Sequence, residues 1–209
     1  MSGKTAPIGV SRAATAEDQA RADCYAVIAR LFASPPDREF LAMLREAPRL
    51  PHDDGMPVAA AWNRLLDASA AMDADAARQE YDDLFIGVGR SEVNLHGSHW
   101  QSGFMMEKPL ADLRTELAVL GLARKGATTM VEDHISALCE TMRLLIAGDA
   151  ERRSAALETQ RNFFKKQLLP WVFDCCAAIR QSTLANYYCR VAEFVELFMA
   201  LERDSLAMD

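Results

Sequence analysis

The sequence predicts an all-α protein folded as a single-domain helical bundle, and three observations predict it. Apolar residues recur at helical spacing from Thr15 to Arg203, no useful stretch alternates as a strand does, and Pro, Gly and Asp gather in short breaks between periodic segments. Half of the 209 residues are hydrophobic, so the chain can bury a sizeable core without disulfides or a structural metal.

The first helix is placed from Thr15 to Phe32, with Thr15 as N-cap ahead of Glu17 and Asp18. Ser34-Pro35-Pro36-Asp37 ends it, because proline cannot continue a helix and Asp37 can cap the next, which runs to about Glu46. Pro48 to Pro57 is rich in Pro, Asp and Gly and reads as a loop. Helices then fit residues 58–71 and 75–86. Gly87 to Glu107 breaks the period with four glycines, Asn94, His96, His99 and Trp100; loops of such length inside a compact domain often carry function. Helices resume at 109–121, 131–147, 151–180 and 183–203, with Pro170 breaking or kinking the third of these. The last carries a core-facing stripe of Tyr187, Val191, Phe194, Phe198 and Leu201. Residues 1–14 read as a flexible tail, and 15–209 as one domain.

A net charge of −7, from 23 basic and 30 acidic side chains, argues against a nucleic-acid binder. The five cysteines are odd in number and form no CxxC pair, and a bond between the neighbours Cys175 and Cys176 would be strained. Free thiols in a reducing compartment are the simpler reading. Met1 to Ala14 has no apolar run of signal-peptide length, and no stretch reaches the roughly 18 apolar residues that cross a bilayer. A cytoplasmic protein without stable membrane insertion is expected. Arg152-Arg153 is no export signal, since it lies in a predicted helix and precedes no apolar region.

Catalytic constellations are scarce: there is no GxSxG, phosphate loop, HExxH or glycine fingerprint. His96, His99 and His134 could share a metal with Cys139, but a second closely spaced ligand pair is missing. No catalytic residue, metal or cofactor is therefore expected. A nucleotide- or metal-dependent hydrolase of helical fold is the alternative from the enzyme class, and a purely structural helical module is a third reading.

Two clusters invite a binding role. Thr129 to Glu132 reads as a capping box, with Thr129 the N-cap and Glu132 at the third helical position. The following Asp133 then points away from the apolar stripe that His134 borders. Such a pair serves either the positive helix end or a ligand. Tyr81, Leu84 and Phe85 share one helical face, edged by Glu80, Asp82 and Asp83. That is ordinary amphipathicity, or else a groove with an apolar floor and an acidic rim, suited to a peptide with arginines beside an apolar run. Trp100, Phe104, Met105 and Met106 would add adaptable apolar surface.

At these clusters the chain resembles the TorD/DmsD/NarJ family of redox-enzyme maturation chaperones. Glu80-Tyr81-Asp82-Asp83-Leu84-Phe85, continuing to Ser98 and Trp100, is similar to the family's "EYxxLF … S-x-aromatic" segment. Glu132-Asp133-His134-Ile135 is similar to its "PDHI" helix, and Gln160 to Phe164, Leu169-Pro170-Trp171, Tyr187-Tyr188 and Leu201-Glu202 to its C-terminal pattern. Two departures stand out: Glu132 replaces a frequent proline, and Leu138 a frequent glutamate that Glu140, about 200° around the helix, cannot replace.

The resemblance implies a TorD-like all-α fold, no enzymatic activity, and binding of a molybdoenzyme precursor, often by its twin-arginine signal peptide, before export or assembly. It implies peptide contacts at Tyr81, Leu84, Phe85, Asp133 and His134. With Asp82, Asp83, Ser98 and Trp100 these are expected to form a groove covered by the Gly87–Glu107 loop, its acids facing the client's arginines. The loop and the form "EDHI..LCETM" resemble relatives associated with formate dehydrogenases. A monomer, or a dimer exchanging C-terminal helices, is expected. Asp133→Ala is expected to weaken peptide binding about tenfold and leave thermal stability nearly unchanged.

Overall fold

The computed structural model describes residues 15–51, 55–87, 89–103, 108–122, 130–150 and 152–208; the expected N-terminal tail, residues 1–14, lies outside them. The chain is all-α, with no strand among the described residues. The first two helices form where their caps say they should. In α1 (Ala16–Ala33), Thr15 accepts the N–H of Asp18 while the Asp18 carboxylate accepts that of Thr15, a complete capping box. In α2 (Arg38–Glu46), Asp37 accepts the N–H of Phe40 at 2.8 Å. Next come α3 (Pro57–Ala71), with proline at its first position, and α4 (Ala74–Tyr81).

The expected helix at 75–86 changes character after Tyr81. Residues Asp82–Ile86 form a π-helical turn, which Gly87 closes at φ 63°. A Cβ there would collide with the Arg90 carbonyl, so the turn needs glycine. The expected long loop is also partly ordered as helix, α5 (Gly97–Ser102). Two further helices are α6 (Lys108–Val119) and α7 (Ile135–Ala147).

Beyond α7, residues 152–156 are not helical: Ala155 donates its N–H to the Leu145 carbonyl, so the chain turns back on α7 before α8 (Leu157–Phe163) begins. A second π-helical turn, Phe164–Leu168, follows. The break expected at Pro170 falls at residues 169–171, ahead of α9 (Val172–Gln181). The last helix is α10 (Tyr187–Met208).

One hydrophobic cluster runs through α1, α7, α9 and α10 and takes in the α4 segment. α1 packs along α7, and α10 packs on α3 and α9. The aromatic side chains interlock edge to face: Phe85 and Tyr188 are 4.9 Å apart, Tyr81 and Phe85 5.1 Å, and Tyr25 and Phe198 5.0 Å.

The stripe expected on α10 holds as far as Phe198, but Leu201 is half exposed and Glu202 faces inward. A four-three spacing drifts by about 20° per heptad on a straight helix, so two heptads carry the stripe off the core. Glu202 is tolerated inside because Arg21 pairs with it bidentately, at 2.7 and 2.9 Å, and the Tyr25 hydroxyl donates to it. Among the described residues no helix is long and apolar enough to cross a membrane.

Candidate functional site

The two sequence clusters meet through α5. The carbonyl of Asp133 accepts the Gly97 N–H, and Leu95 accepts the Ile135 N–H, each at 2.9 Å; this pairs His96 with His134 as an isolated antiparallel bridge. The Asp133 carboxylate then closes the latch. Its Oδ2 accepts the Ser98 N–H at 2.9 Å and the Ser98 hydroxyl at 2.5 Å. Main chain and side chain of Asp133 together satisfy donors at the start of α5 that no residue within that short helix could.

Asp133 is therefore not the exposed first-turn acid read from the sequence. It is 4% exposed, lies ahead of α7, and leaves its second oxygen, Oδ1, buried with no hydrogen-bond partner among the described residues. Glu132 likewise precedes the helix and ion-pairs with Arg114 at 3.0 Å; Thr129, the expected cap, lies outside the described residues. The N-cap of α7 is His134, whose Nδ1 accepts the Ser136 N–H at 3.2 Å. The ring proton thus sits on Nε2. Burial, and next the neighbouring His96 at 5.0 Å between ring centres, lower the His134 pKa to about 4 against the opposing pull of Asp133. His96 is lowered too, chiefly by burial.

The remainder of the loop is held by a residue with no assigned role, Asn94. Its side chain accepts the His96 N–H, and its carbonyl accepts the indole N–H of Trp100 at 2.8 Å. An Asn two residues before a paired position is an Asx-turn signal, and this was legible in the sequence. Gly97 lets α5 lie against Trp171, since a Cβ there would come within 2.9 Å of the indole nitrogen.

The other cluster is core. Tyr81, Leu84 and Phe85 are buried, and the Tyr81 hydroxyl donates to the Phe32 carbonyl at 3.0 Å. Glu80, expected on a groove rim, is buried as well and accepts backbone N–H groups at the start of α10. Asp82 and Asp83 alone of this set stay exposed. Ser98 is buried and Trp100 half-buried; Phe104, Met105 and Met106 lie outside the described residues.

An open cleft of about 700 Å³ lies elsewhere, between α6 and α8, with Gln101 of α5 at its border. Nothing in the motifs pointed to it. Among the described residues no three His, Cys, Asp or Glu side chains are grouped to hold a metal ion. The five cysteines are free, and burial raises the thiols of Cys139, Cys175 and Cys176.

Residues 52–177 match the model of the nitrate reductase delta subunit family, and the chain belongs to that family, which comprises maturation chaperones of the NarJ/TorD type. A crystal structure of a proposed redox enzyme maturation protein from Archaeoglobus fulgidus shares the fold, with a TM-score of 0.54 at 15% identity over 93% of this chain and 99% of that one. No curated protein matches the chain. The family is one of chaperones for redox enzymes, not of catalysts.

Proposed function

We propose that the chain binds the precursor of a molybdoenzyme in the cytoplasm, by an N-terminal twin-arginine signal peptide, and holds it until its cofactor is inserted. The observation that carries this reading is the family match over residues 52–177, which includes Tyr81–Phe85, Ser98–Trp100 and Asp133–His134 in one continuous span. A formate dehydrogenase is the client favoured by the sequence around His96 and His134. In this proposal Asp82 and Asp83 meet the client's arginines, and Tyr81, Leu84 and Phe85 support that surface from beneath. Asp133, His134, Ser98 and Trp100 serve by fixing α5. The protein acts as a monomer, or as a dimer exchanging helices across the turn at residues 169–171.

Affinity capture of the tagged chain from its native cells, followed by mass spectrometry, tests the proposal. The expected result is enrichment of one molybdoenzyme catalytic subunit with its leader uncleaved. Enrichment of no molybdoenzyme subunit overturns it.

A further inference from the structure

The cleft between α6 and α8 is lined by none of the residues to which a peptide contact has been ascribed, and its chemistry is specific. It carries four charges, and they cancel in pairs. Lys108 meets Asp112 at 2.5 Å, and Lys166 approaches Glu116 at 3.7 Å while Gln167 donates to the same carboxylate at 2.7 Å. No unpaired cation remains among the lining charges to draw a phosphate or carboxylate, and no unpaired anion to draw an arginine. The volume lies within the range of about 300–1,000 Å³ typical of ligand sites.

What the cleft does present is neutral. Gln101 on one side and Asn162 on the other offer side-chain amides bonded to no other described residue, and such amides match the N–H and C=O groups of an extended chain. Between them lies apolar surface from Pro109, Leu120 and Val119, the last of them 83% exposed. Side-chain amides for a backbone and aliphatic surface for side chains, with no net charge, are the complement of an uncharged apolar peptide.

We propose that the α6–α8 cleft holds an extended, uncharged apolar segment of the client polypeptide. The inference rests on the chaperone reading above, and it separates the client's two features: the arginines bind elsewhere and the neutral run binds here. α5 links the two regions, since it borders the cleft through Gln101 and is latched to Asp133 through Ser98.

The test uses the full chain and two fluorescent synthetic peptides. One has an arginine pair followed by an uncharged Leu/Ala/Val run; in the other, Ser and Gln replace the run. The first should bind the wild-type chain more tightly, and Val119→Glu and Asn162→Ala should each weaken it, the former by about tenfold. Ile86→Glu, a change at an exposed residue beside Phe85, should leave that affinity unchanged. A photoreactive residue within the run should label α6 or α8 of the wild-type chain, a readout independent of any variant's folding. Labelling confined to the Asp82–Ile86 turn, with Ile86→Glu weakening binding and Val119→Glu not, overturns the cleft while leaving the chaperone reading intact. Equal binding of the two peptides, or of neither, also overturns it, and capture of the precursor from native cells then decides the chaperone reading separately.

Discussion

The carboxylate of Glu80 accepts the backbone N–H of Tyr188 at 2.7 Å, across 108 residues of chain. The same side chain takes the N–H groups of Asn186 and Tyr187, at 2.8 and 3.0 Å. One buried carboxylate thus caps the start of α10 from another helix, and its charge also suits the positive end of that helix. The acidic letter that opens the Glu80–Phe85 motif is architectural.

Glu80→Ala should therefore lower stability by about 3 kcal/mol, since it strands buried N–H groups and removes a charge-assisted acceptor. For a chain of this size that is a fall in Tm of roughly 6–12 °C. Glu80→Gln keeps one acceptor oxygen and should cost less. Thermal melts of the two variants check the order; equal stability of Glu80→Ala and wild type would remove the capping role.

How far the sequence reveals such a residue depends on whether its partner is local. The capping box of Thr15 and Asp18 and the cap of Asp37 were legible because donor and acceptor lie three residues apart. Glu80 and Asp133 were misplaced on exposed rims because their partners are 106–108 and 35 residues away, and helical periodicity says nothing about pairing across the fold. Periodicity places the start of α7 four residues early, at 131, for a related reason. Residues 131–134 have helical composition, but the Asp133 carbonyl is taken by Gly97 and the Ile135 N–H by Leu95, which holds His134 in the bridge to His96. The α6–α8 cleft was not legible at all, because a cleft is a gap between elements and leaves no periodic trace.

The latch between Asp133 and Ser98 makes a second prediction, and it changes the expectation for Asp133→Ala. Removing a carboxylate buried to 4% exposure strands the Ser98 donors, so the variant should lose about 2 kcal/mol, or roughly 4–8 °C in Tm, rather than keep its stability. Asp133→Asn retains an acceptor for Ser98 and places an amide where Oδ1 has no partner, so its loss should be smaller. Melts of Asp133→Ala, Asp133→Asn and Ser98→Ala check this; a double variant of Asp133→Ala with Ser98→Ala should lose less than the sum of its parts.

Asp82 and Asp83 offer the opposite case. Both are exposed, and Asp83 accepts a hydrogen bond from the Gln79 amide at 2.8 Å on the same helical face. Asp82→Asn and Asp83→Asn should leave the melt within about 0.5 kcal/mol of wild type. Each should weaken an arginine-bearing peptide by no more than about fivefold, the range of exposed ion pairs, and the loss should vanish at high salt. Titration calorimetry at low and high ionic strength measures it; affinity unchanged at low salt would remove these two residues from the arginine site.

The pH dependence of stability should carry the mark of His134. Its pKa is about 4 in the fold, lowered by burial and then by His96, whereas in the unfolded chain it returns to about 6.5. Between those values the unfolded chain binds the proton and the folded chain does not, so stability falls as the pH drops through that window and levels off below about 4. The difference, at about 1.4 kcal/mol per pKa unit, amounts to about 3–4 kcal/mol over the whole interval. His96, lowered in the same direction, adds to the slope, and Asp133, which raises both rings, opposes it. His134→Asn supplies an acceptor that can still cap α7 and removes the titration. Denaturant unfolding between pH 7 and 5 should then show a shallower fall for the variant than for wild type. Parallel curves would mean that the His134 ring titrates as it does in water, and that the bridge to His96 does not keep it dry.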